Sequence, residues 1–396
     1  MKRTYTAARL YTALSEEVIA PGAVTIDAEQ IVYAGALADA PADVELVDLG
    51  DVTLLPGLID SHVHLTLSAS EHVLEDYSND SDQIKLIRGV EACRRALLAG
   101  VTTVRECGGQ NELIFALRAA AAGGIIPAPR IIAAGGAITT TGGHCWFFGL
   151  EADSEADLRR MVRAQVKAGA DFIKVMASGG ALTPRTNPAA AQYTPAQIQA
   201  ICDEAKRLGL DVAAHCHATE SVICAAQAGV RTIEHCSFLT PEGIVYDQEA
   251  ARAVHASGAY VCPTLAIAKR AAASLAEDHP LQQMRRRMGG TRMANLRRLH
   301  ALGVPFISGS DAGVTLNPFE DFAYNLTELV DQVGLTPHQA LQTATRLASE
   351  ALRRPDIGTL ANGRSADLIA VHGNPLEQIN SLFEVRAVIA RGVRYQ

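Results

Sequence analysis

Residues 53–65 form an apolar run that ends in two histidines, His62 and His64, with one residue between them. In a β-strand, residues i and i+2 point to the same face. The two imidazoles therefore project side by side, while Val63 turns the other way into packing. Such a pair can be two satisfied core histidines, or it can bind one cation without strain, and imidazole suits zinc and its neighbours. The same spacing returns at His215 and His217, and a further histidine follows at His235. Asp311 stands in Ser308-Gly309-Ser310-Asp311-Ala312. One oxygen of such a carboxylate can hold a metal while the other accepts a proton. Lys174 lies in the middle of Phe172-Ile173-Lys174-Val175-Met176. Strand alternation places Ile173 and Val175 against one layer and Lys174 on the opposite, inner face. A buried ammonium without a partner is costly, so the amine either pairs with a carboxylate such as Glu106 or is neutral. A neutral amine can take up carbon dioxide to give a carbamate, an anion whose two oxygens can bridge two metals. Taken alone, Lys174 favours the ion pair.

The elements that must position these groups alternate along the chain. Apolar, β-rich runs occur at 54–64, 102–107, 130–134, 172–176, 212–216, 232–236, 260–264 and 305–309. Helical patterns fill the gaps, for example 83–99, 155–168, 195–208 and 291–302, and a further helix is predicted over 337–352. Several strands are introduced by a glycine just past a helix, as at Gly100, Gly229 and Gly303, the expected C-terminal stop. Eight strand–helix units predict an α/β fold of the (β/α)8 TIM-like barrel type over 56–356. In such a barrel, chemistry sits at the C-terminal ends of the strands. His62, His64, Lys174, His215, His217, His235 and Asp311 all fall at or near those ends. The terminal segments, 1–55 and 357–396, read as short strands with turns. Neither is long enough for a stable sheet alone. Together they predict a small β-sandwich domain built from both chain termini.

Composition narrows the partners. A formal net charge of −8 argues against nucleic acid. No stretch of 18 or more apolar residues indicates a membrane span, and no apolar signal segment follows Met1-Lys2-Arg3. The eight cysteines form no CxxC pair and mostly sit in apolar runs. They read as reduced thiols of a cytoplasmic protein.

The set His62-x-His64, Lys174, His215, His235 and Asp311 resembles the amidohydrolase superfamily. The most specific pieces are Pro56-Gly57-Leu58-Ile59-Asp60-Ser61-His62-Val63-His64, Thr232-Ile233-Glu234-His235, and the Asp311 motif. The C-terminal Gly358-Thr359-Leu360 and Gly363-Arg364-Ser365-Ala366-Asp367-Leu368 are also typical of it. Lys174-Val175-Met176-Ala177-Ser178-Gly179-Gly180 resembles the branch of prolidase-like Xaa-Pro dipeptidases, N-acyl amino acid amidases and ochratoxin-hydrolysing amidases. That resemblance implies two divalent metal ions, usually zinc. His62, His64 and Asp311 would hold one and His215 and His235 the other, bridged by hydroxide and by an N6-carboxylysine at Lys174. It also implies a homo-oligomer acting on a small-molecule substrate. The implied reaction is attack of the bridging hydroxide on an amide, with Asp311 taking the proton and returning it to the leaving amine. His217 or His144 would steady the oxyanion. One departure bears on substrate class. Where prolidase-like enzymes often carry a tyrosine two residues after the strand-five histidine, this chain has His217.

Further residues bear on substrate choice. His144 ends the loop Thr139-Thr140-Thr141-Gly142-Gly143-His144, and Trp146, Phe147 and Phe148 follow. In a chain with 5% aromatics, this cluster either lines an apolar pocket or packs the loop down. Arg185 can clamp a substrate carboxylate or be a solvated loop charge, and Tyr193 lies in the same excursion. The charged, helical segment 266–292 can cover the mouth as a lid, and its Arg285-Arg286-Arg287 cluster reads as a solvated or subunit-facing surface rather than an anion site. Three other readings stand beside an amide hydrolase. They are an ester, lactone or phosphotriester hydrolase with the same site, a mononuclear deaminase or imidazolonepropionase-like enzyme, and a scaffold that has lost its activity. Lys174 argues against the mononuclear reading, and an intact ligand set argues against the scaffold.

Overall fold

A computed structural model of the chain describes residues 2–266, 276–278 and 280–396. The apolar run at 53–65 is two strands, not one. Val52–Pro56 pairs antiparallel with Leu368–His372, while Leu58–Val63 starts a parallel unit. The break falls at Gly57, where a Cβ would overlap the side chain of Thr102.

The parallel strands form two ladders. Leu58–Val63, Val101–Glu106 and Arg130–Ala133 make one. Ile173–Met176, Val212–Ala218, Thr232–Thr240 and Tyr260–Cys262 make the other, extended by the short Ile138–Thr139 and Leu150–Glu151. The ring of eight strands expected from the sequence is not closed by continuous ladders. Segment 305–309 forms no strand and contributes an isolated bridge from Phe306 to Val261. Its backbone spreads its hydrogen bonds over several partners. Ile307 N donates to Val261 O at 3.0 Å, Ser308 N to Thr343 O at 2.9 Å, and Ser308 O accepts from Ser61 N at 2.9 Å. Gly309 allows the close approach that follows, since a Cβ there would lie 2.6 Å from that of His62. Asp311 N then donates to His62 O at 2.7 Å, which ties the two ligand-bearing segments together.

Helices pack outside the ladders, and their ends explain their limits. Ser81 caps Asp82–Leu98, Ser154 caps Glu155–Ala168, and Thr194 with Gln197 forms a capping box at Pro195–Arg207. The predicted helix at 337–352 is two, Pro337–Thr343 and Arg346–Ala351. Thr345 leaves helical geometry between them, with φ −135° and ψ −105°. One large apolar cluster lies between ladders and helices and includes Leu58, Val63, Val104, Ile173, Val175, Ala214 and Ile233. Burying a Leu, Ile or Val side chain is worth roughly 1.5–3 kcal/mol, so this layer fixes the strands that carry the polar site.

Two further sheets lie outside these ladders, one from the N-terminal segment alone and one from both ends of the chain. Gln30–Ala36, Gly22–Asp27, Arg3–Ala7 and Glu45–Asp48 form one. Val393–Arg394, Val385–Ala390, Leu368–His372, Val52–Pro56, Arg9–Tyr11 and Val18–Ile19 form the other. Tyr5, Val24, Ile31, Leu54, Leu368 and Ile389 share one buried cluster across them. All eight cysteines are buried and free. No helix among the described residues is long and apolar enough to cross a membrane.

Candidate active site

Six buried side chains converge where the parallel strands end: His62, His64, Lys174, His215, His235 and Asp311. His62 and His64 leave one strand on the same face, with ring centroids 5.3 Å apart. Asp311 Oδ1 lies 3.5 Å from His62 Nε2 and 3.4 Å from His64 Nε2. The rings of His215 and His235 stand 4.5 Å apart, and those of His62 and His235 5.3 Å. Asp311 adopts φ +61°, a left-handed conformation that an aspartate tolerates better than most residues.

Hydrogen bonds to one ring nitrogen leave the other free to face the cavity. His62 Nδ1 is held by Glu234 Oε2 at 2.8 Å, His64 Nδ1 by Gly108 O at 2.9 Å, and His235 Nδ1 by Thr264 Oγ1 at 2.8 Å. His215 is held through Nε2, 3.2 Å from Gly179 O. These bonds leave Nε2 on three of the rings and Nδ1 on the fourth to meet other groups, and Asp311 Oδ1 is already beside the Nε2 of His62 and His64. Burial, followed by neighbouring positive charge, lowers the pKa of His215 and His235 well below the ordinary value and that of His62 to about 4. Neutral imidazole is the form that ligates metal. His64 differs. Burial lowers its pKa, but Asp311, Glu106 and the Gly108 carbonyl together outweigh that and the net shift is upward. Burial disfavours the Asp311 carboxylate too, yet His62 and His64 more than offset it and hold its pKa below the usual range.

Lys174 is 1% exposed, and its Nζ has no hydrogen-bond partner among the described residues. It makes no ion pair with Glu106. That carboxyl is itself buried, with Oε1 unpartnered, and burial pushes its pKa up to about 7. The donor set suits a divalent cation. Ligand atoms of His215, His217 and His235 lie within 4.8 Å of one another, as do those of His62, His235 and Asp311. The charge of the orphaned Lys174 amine acts on His62, His215, His235 and Asp311 alike.

His144 is buried against the same cluster, 4.6 Å from His215 between ring centroids. Its Nδ1 is unpartnered, and burial lowers its pKa to about 4. His217 lies in the strand Val212–Ala218, its ring 4.5 Å from that of His235 and its Nδ1 2.8 Å from Ser237 Oγ. The aromatic loop divides. Phe148 is buried and stacks on His64 at 5.7 Å, Phe147 packs against Tyr77 at 5.2 Å, and Trp146 is 49% exposed. Tyr193 is buried in the main cluster, where its hydroxyl donates to Ala152 O at 2.9 Å. Arg185 is exposed. Much of the candidate lid, with the side chains of Arg285, Arg286 and Arg287, lies outside the described residues.

Sequence reasoning gave no role to Arg105 or Glu234, which support the site from below. Arg105 is buried and donates to Ser61 O at 2.6 Å, Thr232 Oγ1 at 2.8 Å and Glu234 Oε1 at 2.7 Å. Burial disfavours the Glu234 carboxylate, but Arg105 and then His62 hold its pKa well below the usual range. The available signal was a charge inside an apolar run: alternation with core residues Val104 and Ile233 turns Arg105 and Glu234 inward, while His235 leaves regular alternation with φ +67°.

The chain belongs to the amidohydrolase family, whose model matches residues 53–394. That family has the TIM-barrel type of α/β fold, and its members are hydrolases that are generally metal-dependent. Among its relatives is the ochratoxinase of Aspergillus niger, 29% identical over 371 residues, covering 85% of this chain and 73% of the relative. An imidazolonepropionase of Rhizorhabdus wittichii is 27% identical over 391 residues, covering 89% of this chain and 88% of the relative. The crystal structure of a Xaa-Pro dipeptidase with bound methionine in its active site superposes with a TM-score of 0.88 at 28% identity over 100% of both chains.

Proposed function

We propose that the chain is a binuclear metal-dependent hydrolase of amide bonds, acting on dipeptides or N-acyl amino acids with an apolar side chain. The observation that carries this reading is the buried, unpartnered Nζ of Lys174 among His62, His215, His235 and Asp311. A neutral amine there would add to carbon dioxide and release a proton, giving an anionic carbamate that would help hold the cations. His62, His64 and Asp311 would hold one ion, and His215 and His235 the other. Bound divalent cations supply water acidified toward neutral pH and polarise the scissile carbonyl. Asp311, anchored by the His62 carbonyl, accepts a proton through its free oxygen and returns it to the leaving amine, which is too basic to depart as an anion. His144 and His217, whose rings each lie 4.6 Å from that of His215, would donate to the oxyanion. Phe148 shields the His64 side from water.

The kinship with ochratoxinase and a Xaa-Pro dipeptidase supports the amide as the bond cleaved. We also read the two ladders as a (β/α)8 barrel over 56–356. The two terminal sheets that share one cluster fit a β-sandwich domain of residues 1–55 and 357–396. The likeness to imidazolonepropionase favours a second reading, a single-metal enzyme acting on a cyclic C–N bond. It leaves the Lys174 amine without a task. The test is a panel of metal-loaded assays on dipeptides, N-acyl amino acids, matched esters and lactones, and imidazolone-type rings. Release of one amine per bond from the linear amides is expected. Turnover confined to esters, lactones or rings would contradict the proposal.

A further inference from the structure

A second cavity, of about 290 Å³, lies at the opposite end of the parallel strands from the candidate active site. Phe172, Asp211 and Arg231, which line it, each stand just before a strand, and Leu352 follows the helix Arg346–Ala351. Ile132, Phe172 and Ala213 belong to one small buried apolar cluster, and the half-buried Leu352 packs against it. These side chains give the cavity an apolar wall. Arg105 also lines it, its guanidinium 5.3 Å from the centre of the Phe172 ring. Because Arg105 holds Glu234, the cavity backs onto the support of His62.

Charge around the cavity does not cancel. Four of its arginines have a carboxylate partner. Arg105 meets Glu234 at 2.7 Å, Arg118 meets Asp171 at 2.6 Å, Arg353 meets Asp211 at 2.5 Å and Arg354 meets Asp356 at 2.6 Å. Arg231 is the fifth, and no carboxylate among the described residues pairs with it. Its Nη2 donates to Glu350 O at 2.7 Å and its Nε to Ala351 O at 3.1 Å. The Glu350 carboxylate is turned to Arg346, at 2.9 Å. A guanidinium has five N–H donors, so Arg231 keeps donors for a further acceptor. One unbalanced positive charge beside an apolar wall suits a single negative charge on an apolar body. We propose that this cavity binds a small organic monocarboxylate, its carboxylate on Arg231 and its apolar body against Phe172, Ile132 and Leu352. The proposal is independent of the reaction at the other end of the strands. The competing role is purely structural, with Arg231 fastening the end of the last helix through two carbonyls.

The test is calorimetric titration of the metal-loaded protein with benzoate, with benzamide and with sulfate. Benzamide keeps the apolar body without the charge, and sulfate keeps charge without the body. Wild type is expected to bind benzoate at least 10-fold more tightly than either. Arg231→Met is expected to weaken benzoate by about 10- to 100-fold, the scale of one hydrogen bond to a charged group, and Arg231→Lys to recover part of that. Leu352→Trp, which fills the cavity and leaves the guanidinium in place, should abolish the same binding event. Should Arg231→Met fail to fold, Leu352→Trp and the comparison of the three probes on wild type carry the test. Benzoate binding that survives in both variants would place the anion elsewhere, at the metal centre for example, and overturn the assignment. So would equal binding of the three probes, or no benzoate binding in wild type.

Discussion

Glu234 Oε2 lies 2.8 Å from His62 Nδ1, and both side chains are shut away from solvent. The other oxygen of Glu234 is held by Arg105 at 2.7 Å. The charge on Glu234 fixes the tautomer of His62 and makes its Nε2 a stronger ligand. Glu234→Gln keeps the shape and removes the charge. It is expected to weaken metal retention by about 10- to 100-fold, as read by competition against a chromophoric chelator. Excess metal should restore most of the activity. An unchanged metal affinity would show that Glu234 only fills space.

Arg105 poses a stability question. Arg105→Met strands the Glu234 charge in a buried site, which typically costs about 3–5 kcal/mol. Denaturant unfolding of the metal-free protein should show that loss. Glu234→Gln in the same chain should recover a good part of it, because the stranded charge is then gone. Equal destabilisation of single and double variants would mean that packing, not charge, dominates.

The position of His144 depends on a glycine. At Gly180 a Cβ would overlap the His144 ring. Gly180→Ala should therefore displace His144 while leaving the metal ligands in place. The expected result is a fall in kcat of about 10²-fold, the scale for losing one oxyanion donor, with metal content unchanged. Full activity in Gly180→Ala would remove His144 from the reaction.

A pH effect away from the site follows from Glu204. Arg163 Nη1 reaches its Oε1 at 2.9 Å, and Arg207 donates to the same oxygen. Hydrogen bonds from Arg207 and then Arg163 lower its pKa from 4.5 to about 2. A carboxyl whose pKa falls on folding adds stability above its unfolded value, and that stability is lost as pH drops from about 4.5 through about 2. The arginines reach solvent and are screened, so the amount is about 1 kcal/mol. Unfolding free energies of wild type and Glu204→Gln should converge on acidification through that window. A gap that persists at its acid end would contradict this.

Much of the site was legible because strand alternation speaks plainly through His62, His64 and Lys174. What was not legible depended on tertiary approach. The run at 53–65 reads as one strand, yet its partners change at Gly57, whose N donates to Asp367 O while Leu58 N donates to Gly100 O. Segment 305–309 has the composition of a strand, yet its backbone shares its hydrogen bonds among Val261, Ser61 and Thr343. Arg105 lies in a strand whose sequence does not reveal the Glu234 it meets from the other ladder. Arg292 lies 57 residues from His235 in sequence, and only the packing of its helix, Pro280–Ala301, brings it there.

The central claim is that Lys174 serves metal rather than packing. The most direct test is metal content per chain, by elemental analysis, in wild type and Lys174→Ala purified side by side. About two divalent ions in wild type are predicted, with a marked loss in Lys174→Ala that short carboxylic acids partly restore by taking the place of the carbamate. About one ion in both proteins would contradict the bridged centre. It would make Lys174 a structural residue and move the single-metal reading to the front.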